Sequence, residues 1–254
     1  MEVGATIAMH RHACYALVFA LLFSVHSHAE TSCIDSALLA RSTVSITRYF
    51  DDEERSVRTN LVGIQGTGWF QSPTTIVTVE HVTSAMDLSS QSWKLLELQH
   101  DGDARSVSVR IQRSAGVHAE KLVVLELQTA IAAAPSVTIR MSPLMPEDRL
   151  VAIAYPGQNR RSVGGRFVKY ATDGKLAGTA LLEMYEGDNR LAIDHGASGA
   201  PVFDCEGRIV AVIATVMTQI FQTPFGERRV STAWGMPNVV SVPIHELISF
   251  PQNR

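Results

Sequence analysis

The chain has 254 residues, of which 46% are hydrophobic and 19% are charged, and its formal net charge is −3. This composition is typical of a globular protein and excludes a disordered acidic chain. It also argues against a nucleic-acid partner, because proteins that track phosphates are usually markedly basic.

The beginning of the chain has the pattern of a secretory signal peptide. A short basic start at 9–12 precedes an apolar run over Ala13–Val25, and Ser27 and Ala29 place small residues at the −3 and −1 positions of a cleavage site. The apolar run is shorter than the ~20 residues that a membrane-spanning helix needs. We therefore predict a signal peptide over residues 1–29 and a secreted or periplasmic mature protein without a membrane span. A buried N-terminal helix is the alternative.

Three cysteines are present, and Cys14 lies in the predicted signal peptide. The mature chain keeps Cys33 and Cys205, and an even pair in an oxidising compartment predicts one disulfide between them. Two unpaired thiols are the alternative. Neither residue belongs to a Cys-x-x-Cys motif or stands beside a histidine, so we expect no metal site and no cofactor there.

The rest of the chain is a series of short strands separated by turn residues. Residues Ser106–Ile111 alternate with a period of two, and Gly, Pro, Asp or Asn bound each apolar run. The pattern predicts an all-β barrel or sandwich with few helices, one at Ser36–Arg41 and one at Ile244–Ser249, and a connection between two halves at 130–135. The apolar, β-branched runs are Ile76–Val79, Leu122–Leu125, Leu150–Ala154 and Ile209–Ile213.

The sequence Gly-Ala-Ser-Gly-Ala-Pro at 196–201 carries a candidate nucleophile, Ser198. Glycines on both sides let the backbone turn tightly enough to expose a serine hydroxyl. They also let the N–H groups of Gly196 and Ser198 point together at a developing oxyanion. A turn with a capping serine is the alternative, and the catalytic interpretation requires a base.

His81 is the candidate base. It follows a predicted strand, Ile76–Val79, at a point where a rigid scaffold fixes a side chain that remains open to a cleft. A neutral imidazole accepts a serine proton near neutral pH, which is why this chemistry uses histidine. Considered alone, His81 would be a structural residue, but its combination with Ser198 favours catalysis.

Five segments together carry a resemblance to a known family. They are Gly-Thr-Gly-Trp-Phe at 66–70, Thr-Val-Glu-His-Val at 78–82, Ala-Tyr-Pro-Gly at 154–157, Gly-Ala-Ser-Gly-Ala-Pro-Val-Phe-Asp at 196–204 and Ile-Val-Ala-Val-Ile at 209–213. In this order they resemble the trypsin-like (chymotrypsin-fold) serine peptidases, and most of all the bacterial Deg-like branch.

The resemblance implies two six-stranded antiparallel β-barrels with the active site between them, followed by a short C-terminal helix. Residues 30–135 would form an N-terminal extension and the first barrel, and residues 136–254 the second barrel and the helix. No peptide-binding domain is expected after residue 250. In this family His81 would be the general base, Ser198 the nucleophile, and Gly196 with Ser198 the oxyanion hole.

The acid of the catalytic triad departs from the family pattern. The family places an aspartate directly before the strand that matches Leu122–Leu125, and this chain has Lys121 there. Glu120 stands one residue earlier, and its extra methylene could span the gap to His81. Other carboxylates, at 80, 101 and 103, and the absence of any functional acid remain open alternatives.

Substrate preference is indicated only weakly. Ala192 stands six residues before Ser198, where relatives of trypsin specificity have an aspartate, so a strong preference for lysine or arginine is not expected. The pocket wall would include Ala214, Thr215 and Val216, which favours a small or medium apolar side chain. The segment 219–231 is expected to be a surface loop.

Two functions therefore remain. The first is a serine endopeptidase that acts on peptide or protein substrates through an acyl-enzyme on Ser198. The second, motivated by Lys121, is a catalytically impaired relative that binds peptides or a protein partner through the same cleft. A metal-dependent hydrolase using His118 and Glu120 is discounted because no third ligand can be named.

Overall fold

The computed structural model describes residues 34–116, 120–131, 137–155, 159–185, 197–214, 216–233 and 239–248. The predicted signal peptide and Cys33 lie outside these residues. None of the helices in these ranges has the length and apolar character that crossing a bilayer requires.

Six antiparallel strands form the first barrel. Its strand order is β1-β4-β5-β6-β3-β2, and pairing between β1 and β2 closes it. Closure leaves each of these strands paired on both sides for part of its length, which protects the backbone edges. The strands are β1 Thr43–Tyr49, β2 Leu61–Ser72, β3 Thr75–Val79, β4 Lys94–His100, β5 Asp103–Ala115 and β6 Leu122–Leu127.

A second closed barrel has the order β10-β11-β14-β9-β8-β7. Two six-stranded antiparallel barrels confirm the fold class that the resemblance implies. The strands of the second half are β7 Arg149–Ala154, β8 Arg161–Tyr170, β9 Ala180–Tyr185, β10 Pro201–Asp204, β11 Ile209–Ile213, β12 Val216–Thr223, β13 Gly226–Ala233 and β14 Val239–Pro243. Of these, β12 and β13 lie outside the barrel.

The helical elements are few and short. They are α1 Ser36–Ala40, α2 Asp52–Ser56, α3 Glu80–Ala85 and α4 His245–Ile248, with a 3₁₀ turn at Gly174–Leu176. The first and last agree with the helices predicted from the sequence. At the start of α1, the Asp35 side chain accepts a hydrogen bond from the Ala37 N–H at 2.8 Å, which satisfies one of the unpaired donors of the first turn.

Strand β7 contributes side chains to the apolar clusters of both barrels and so joins them. Side chains alternate between the two faces of a strand. Accordingly, Leu150, Ala152 and Ala154 pack inside the second barrel, whereas Val151 and Ile153 belong to the apolar cluster that fills the first barrel. Because both faces are buried, the run is continuously apolar instead of alternating with polar residues.

The segment 219–231 differs from the surface loop expected from the sequence. It lies in the β12–β13 hairpin, whose turn is at Pro224 and Phe225 and whose strand β12 pairs with β2 of the first barrel. The loop prediction was therefore wrong. The turn signal of Thr-Pro-Phe-Gly is real but marks only the tip of the hairpin, and the strands on either side lack a strict apolar alternation.

Arg48, at the end of β1, is a buried cation that connects α2 to α3. Its Nη1 donates to the carbonyl oxygen of Met86, the C-cap residue of α3, at 2.7 Å. Its Nη2 pairs with Glu54, which also forms a capping box with Asp51 at the start of α2. Burial raises the pKa of Glu54, but the hydrogen bonds from Arg48 and from the Asp51 N–H outweigh this effect and lower it.

We predict that Arg48→Met lowers the free energy of unfolding by about 2–4 kcal/mol, because the substitution leaves the Met86 carbonyl and Glu54 without their buried partner. Urea unfolding followed by circular dichroism at pH 7 measures the loss. The lowered pKa of Glu54 stabilises the wild type at pH values above the ordinary carboxyl pKa. The difference in the free energy of unfolding between the wild type and the variant should therefore shrink as the pH falls through the lowered pKa of Glu54.

The matched control is Arg105→Met, because Arg105 is half-exposed and its nearest carboxylate, Asp103, is 3.7 Å away. This change should alter the stability by less than about 0.5 kcal/mol. Equal losses in the two variants would show that the buried contacts of Arg48 contribute nothing specific.

Candidate active site

Ser198 lies in a tight turn that leads into β10. The Ala200 N–H donates to the Ala197 carbonyl oxygen at 2.9 Å, and the Gly199 N–H donates to the carbonyl oxygen of Ile213 at 2.8 Å. The Ser198 carbonyl oxygen accepts from the Thr67 N–H of β2, also at 2.8 Å. The backbone on both sides of the serine is therefore fixed, one contact coming from each barrel.

Gly199 is required by this arrangement. Its φ of +89° lies in the left-handed region, and a Cβ built there would be 1.9 Å from the Thr67 carbonyl oxygen and 2.2 Å from Thr78 Oγ1. Any other residue would therefore collide with β2 and β3 and also adopt an unfavourable backbone conformation. The Gly-x-Ser-Gly pattern thus reflects close backbone approach as well as chain reversal.

His81 is the second residue of α3, directly after strand β3. The strand pairs with β2 on one side and β6 on the other, so it is a rigid base for the helix. The side chain of His81 is about a quarter exposed. Its Nε2 lies 2.8 Å from Ser198 Oγ. The sequence places these two residues 117 positions apart, and the fold brings them into hydrogen-bond contact.

Glu120 contacts His81 through both carboxylate oxygens. Oε2 lies 3.0 Å from Nδ1 of the ring, and Oε1 accepts the backbone N–H of His81, also at 3.0 Å. The first contact selects the tautomer that carries its proton on Nδ1, which leaves Nε2 free to accept a proton from the serine. The second contact fixes the carboxylate against the start of α3.

Lys121, which occupies the position expected for the acid, is directed elsewhere. Its Nζ lies 3.0 Å from Glu80 Oε1, and its carbonyl oxygen accepts the Glu80 N–H at 2.9 Å. Among the other candidate carboxylates, Asp101 lies 3.8 Å from Arg160 and Asp103 lies 3.7 Å from Arg105. Within the described residues, Glu120 is the carboxylate that contacts the His81 ring.

Several sequence-predicted positions cannot be placed. Gly196 of the oxyanion hole and Ala192 and Thr215 of the pocket lie outside the described residues. Ala214 is partly buried at the end of β11, where its N–H donates to the carbonyl oxygen of Val240 at 2.9 Å. Val216 is the first residue of β12.

Within the described ranges, no group of three or more His, Cys, Asp or Glu residues could hold a metal ion.

Two threonines support the site and were not singled out by the sequence analysis. Thr78 Oγ1 donates to the Thr67 carbonyl oxygen at 2.8 Å, and Thr67 Oγ1 accepts the N–H of Tyr155 at 3.2 Å. Both threonines are buried, so these bonds satisfy hydroxyls that would otherwise be costly to bury. The sequence signal that could have identified them is Gly-Thr-Gly at 66–68, because glycines in a strand mark a place where another segment of the backbone approaches closely.

We predict that Gly199→Ala destabilises the fold by about 2–5 kcal/mol, through the left-handed backbone and the overlap with Thr67 and Thr78. The displaced Ser198 turn should also lower kcat/KM by about 100-fold, since small misplacements of a reacting group have effects of that size. Thermal unfolding and steady-state kinetics measure the two effects.

The control for this change is Gly164→Ala in β8, because a Cβ at Gly164 meets no atom within 4 Å. Its stability should stay within about 1 kcal/mol of the wild type, and its kcat/KM should not change. A Gly199→Ala variant that behaves like this control would contradict the close approach described for Gly199.

Comparisons with known proteins agree with this geometry. The family model of the trypsin-like peptidase domain matches residues 66–212, which is more than half of the chain. A comparison with curated protein sequences gives no significant match.

Solved structures of two proteases share the fold. The active form of the Rv3671c protease from M. tuberculosis has a TM-score of 0.57 at 14% identity, and the alignment covers 84% of this chain and 80% of that chain. The inactive form has a TM-score of 0.52 at 15% identity, covering 84% and 88%. An HtrA-type protease, AlgW with a tripeptide, has a TM-score of 0.57 at 14% identity. That alignment covers 85% of this chain and 62% of that chain, so the present chain spans less than two thirds of it.

The resemblance found in the sequence is thereby confirmed. The chain belongs to the trypsin-like peptidase family, and it is a serine endopeptidase whose substrates are peptides or proteins.

Proposed function

We propose that this protein is an exported serine endopeptidase that cleaves peptide bonds through an acyl-enzyme on Ser198. The observation that carries the proposal is the continuous chain of contacts from Glu120 through His81 to Ser198, with distances of 3.0 Å and 2.8 Å. A nucleophile, a base in hydrogen-bond contact with it and a third group that orients the base are the parts that acyl transfer requires.

The chemistry follows from these contacts. As Ser198 Oγ attacks the carbonyl carbon of the scissile bond, its proton moves to His81 Nε2, and the carbonyl oxygen becomes an oxyanion. When the intermediate collapses, Nε2 returns that proton to the departing amine and the acyl group stays on Oγ. Water then attacks the ester carbonyl while His81 Nε2 accepts a proton from it. When this second intermediate collapses, the bond between the acyl group and Ser198 Oγ breaks, Nε2 returns the proton to Oγ, and the carboxylic acid product leaves. Glu120 stabilises the imidazolium that forms in each step without itself taking the proton.

The oxyanion is assigned to the backbone N–H groups of Gly196 and Ser198, which the sequence pattern places on either side of Ala197. The pocket for the substrate side chain before the scissile bond is assigned to Ala192, Ala214, Thr215 and Val216. Because Ala192 carries no charge and Ala214 packs against the apolar core, a small or medium apolar side chain is the preferred fit.

The alternative of an impaired, peptide-binding relative was motivated by Lys121. That motivation is weakened, because Lys121 pairs with Glu80 and the carboxylate of Glu120 reaches His81 from the preceding position. We therefore assign the role of the triad acid to Glu120 in an active enzyme.

Export and a disulfide complete the proposal. The signal-peptide pattern supports cleavage after Ala29, and Cys33 and Cys205 would then be the cysteines of the mature chain. A Cβ at Gly207 would lie 2.8 Å from Ile34 Cδ1, so the chain next to Cys33 packs on the turn that contains Cys205. This contact supports a bridge between the two.

We expect a fluorophosphonate probe to label the mature protein at Ser198, as detected by intact mass and peptide mapping. Ser198→Ala should abolish labelling and lower peptide hydrolysis by at least about 10⁴-fold. Glu120→Gln keeps the shape of the side chain but removes its charge, and it should lower kcat by about 10³–10⁴-fold.

The matched control is Glu80→Gln, which changes the carboxylate next to His81 on α3. Because Glu80 pairs with Lys121 at the surface, kcat should change by less than about 3-fold. A folded wild type that the probe does not label would overturn the proposal of an acyl-enzyme and favour the peptide-binding alternative.

We predict that the exported protein begins at Glu30 and gains the mass of two hydrogens on reduction. Cys205→Ser should lower the free energy of unfolding by about 2–4 kcal/mol, whereas Cys14→Ser, which changes a residue of the predicted leader, should not. N-terminal sequencing, intact mass and urea unfolding test these points. A mature protein that keeps residues 1–29, or whose mass does not change on reduction, contradicts the corresponding part of the proposal.

A further inference from the structure

The β12–β13 hairpin joins the two halves of the molecule in a way that the barrels themselves do not require. It leaves the second barrel after β11 and returns to it at β14, but β12 pairs with β2 of the first barrel. The paired positions are Thr218 with Gln65, Gln219 with Ile64, Ile220 with Gly63 and Phe221 with Leu61. The Gln222 N–H extends the contact by donating to the Asn60 carbonyl oxygen at 2.8 Å.

The edge of β2 that β12 covers begins beside the nucleophile. Gln65, the first covered residue, is two positions from Thr67, whose N–H donates to the Ser198 carbonyl oxygen. The last covered pair is at Leu61, so the contact follows the strand for about 13 Å, at ~3.3 Å per residue. An extended peptide that passed Ser198 on this side would meet β12 at the place where the peptide could otherwise pair with β2 as an added strand.

The covered edge lies on the side that the leaving group must take. The departing amine receives its proton from His81 Nε2, so that part of the substrate passes on the side of α3, the helix that carries His81. A Cβ at Gly66 would be 2.7 Å from Val82 Cγ1, on α3, and 3.3 Å from the Ser198 carbonyl oxygen. At Gly66, strand β2 therefore lies next to both the Ser198 turn and α3, and the edge covered by β12 begins at the adjacent residue, Gln65.

We propose that the β12–β13 hairpin is a specificity element, an internal strand that occupies the binding edge on the leaving-group side of the scissile bond. The proposal rests on the endopeptidase function proposed above and adds a substrate class to it. Peptides with no more than about two residues after the scissile bond end before the hairpin, whereas the additional residues of longer ones would overlap with β12, which already occupies the edge of β2. The enzyme therefore favours bonds close to the carboxyl end of a peptide.

The test compares internally quenched peptides that share one acyl side and carry one, two, four or six residues after the scissile bond. A substrate with a chromogenic amine as its leaving group reports the chemistry without any contact on that side. For the wild type, kcat/KM should fall by about 10-fold between two and four residues, which corresponds to about 1.4 kcal/mol of lost binding in the transition state.

A truncated variant removes the strand. Met217 and Thr232 are partners in the hairpin, so residues 218–231 can be replaced by Asn-Gly, the dipeptide that closes a two-residue hairpin turn. In this variant the 10-fold fall should disappear, so that four-residue and two-residue substrates differ by less than about 2-fold. Hydrolysis of the chromogenic substrate should change by less than about 3-fold, because the triad is not altered.

A second variant keeps the chain length and serves if the truncation does not fold. Consecutive residues of a strand direct their N–H groups to opposite sides. The double change Thr218→Pro and Gln219→Pro therefore removes one donor to β2 whichever of the two residues supplies it. It should reduce the discrimination against four-residue substrates in the same direction. The matched control is Phe225→Ser at the exposed tip, which should leave the length profile of the wild type unchanged.

The outcomes separate this inference from the proposed function. A wild type that cleaves four-residue and two-residue substrates equally well overturns the inference, as does a truncated or double-proline variant that retains the discrimination. In either case, hydrolysis of the chromogenic substrate that Ser198→Ala abolishes leaves the endopeptidase function standing. A folded wild type that hydrolyses neither the chromogenic substrate nor any of the peptides overturns the proposed function itself.

Discussion

The hydrogen bond between the Thr67 N–H and the Ser198 carbonyl oxygen is the contact on which the site depends. Ser198 belongs to the second barrel and His81 to the first, so no local structure holds them together. At 2.8 Å, this bond ties the turn of Ser198 to the middle of β2 and thereby sets the separation of the two side chains. Gly199 permits the approach, and the Thr78 hydroxyl donates a hydrogen bond to the carbonyl oxygen of Thr67.

The proposed use of glutamate in place of aspartate agrees with the geometry at the start of β6. Position 121 is bound through its backbone to Glu80, and its side chain points to that residue as well. A carboxylate one position earlier has farther to reach, and the additional methylene of Glu120 supplies the length. The side chain still contacts both Nδ1 and the backbone N–H of His81, so the longer and more flexible group is held at two points.

Much of the fold could be predicted because its strands follow local patterns of apolar residues and turns. The runs at 76–79, 122–125, 150–154 and 209–213 are strands in the structure, and the family resemblance gives their arrangement. The family match at 66–212 spans the segments that contain His81 and Ser198. The position of Glu120 was one of several alternatives, since the side on which Lys121 projects depends on contacts with α3 that no local pattern records.

The β12–β13 hairpin and the Arg48 contacts could not be predicted for the same reason. Gln219 and Ile64 are far apart in the chain, and their pairing depends on how the barrels are placed, not on the residues near either of them. Arg48 shares its face of β1 with the buried residues Val44 and Ile46, and its partners Met86 and Glu54 come from other segments that the strand pattern does not indicate. Sequence periodicity indicates which face of a strand is apolar, but it does not indicate which residues pack against that face.

The two-sided burial of β7 has a consequence for folding. Val151 and Ile153 complete the apolar cluster of the first barrel, while their neighbours fill the second. Neither barrel can open without exposing apolar surface of the other, so we expect a single cooperative unfolding transition instead of two. For a peptidase this coupling is protective. A molecule with only one barrel folded would expose extended chain that other, fully folded molecules of the enzyme could cleave. Cooperative folding keeps the population of such half-folded molecules as small as that of the globally unfolded state.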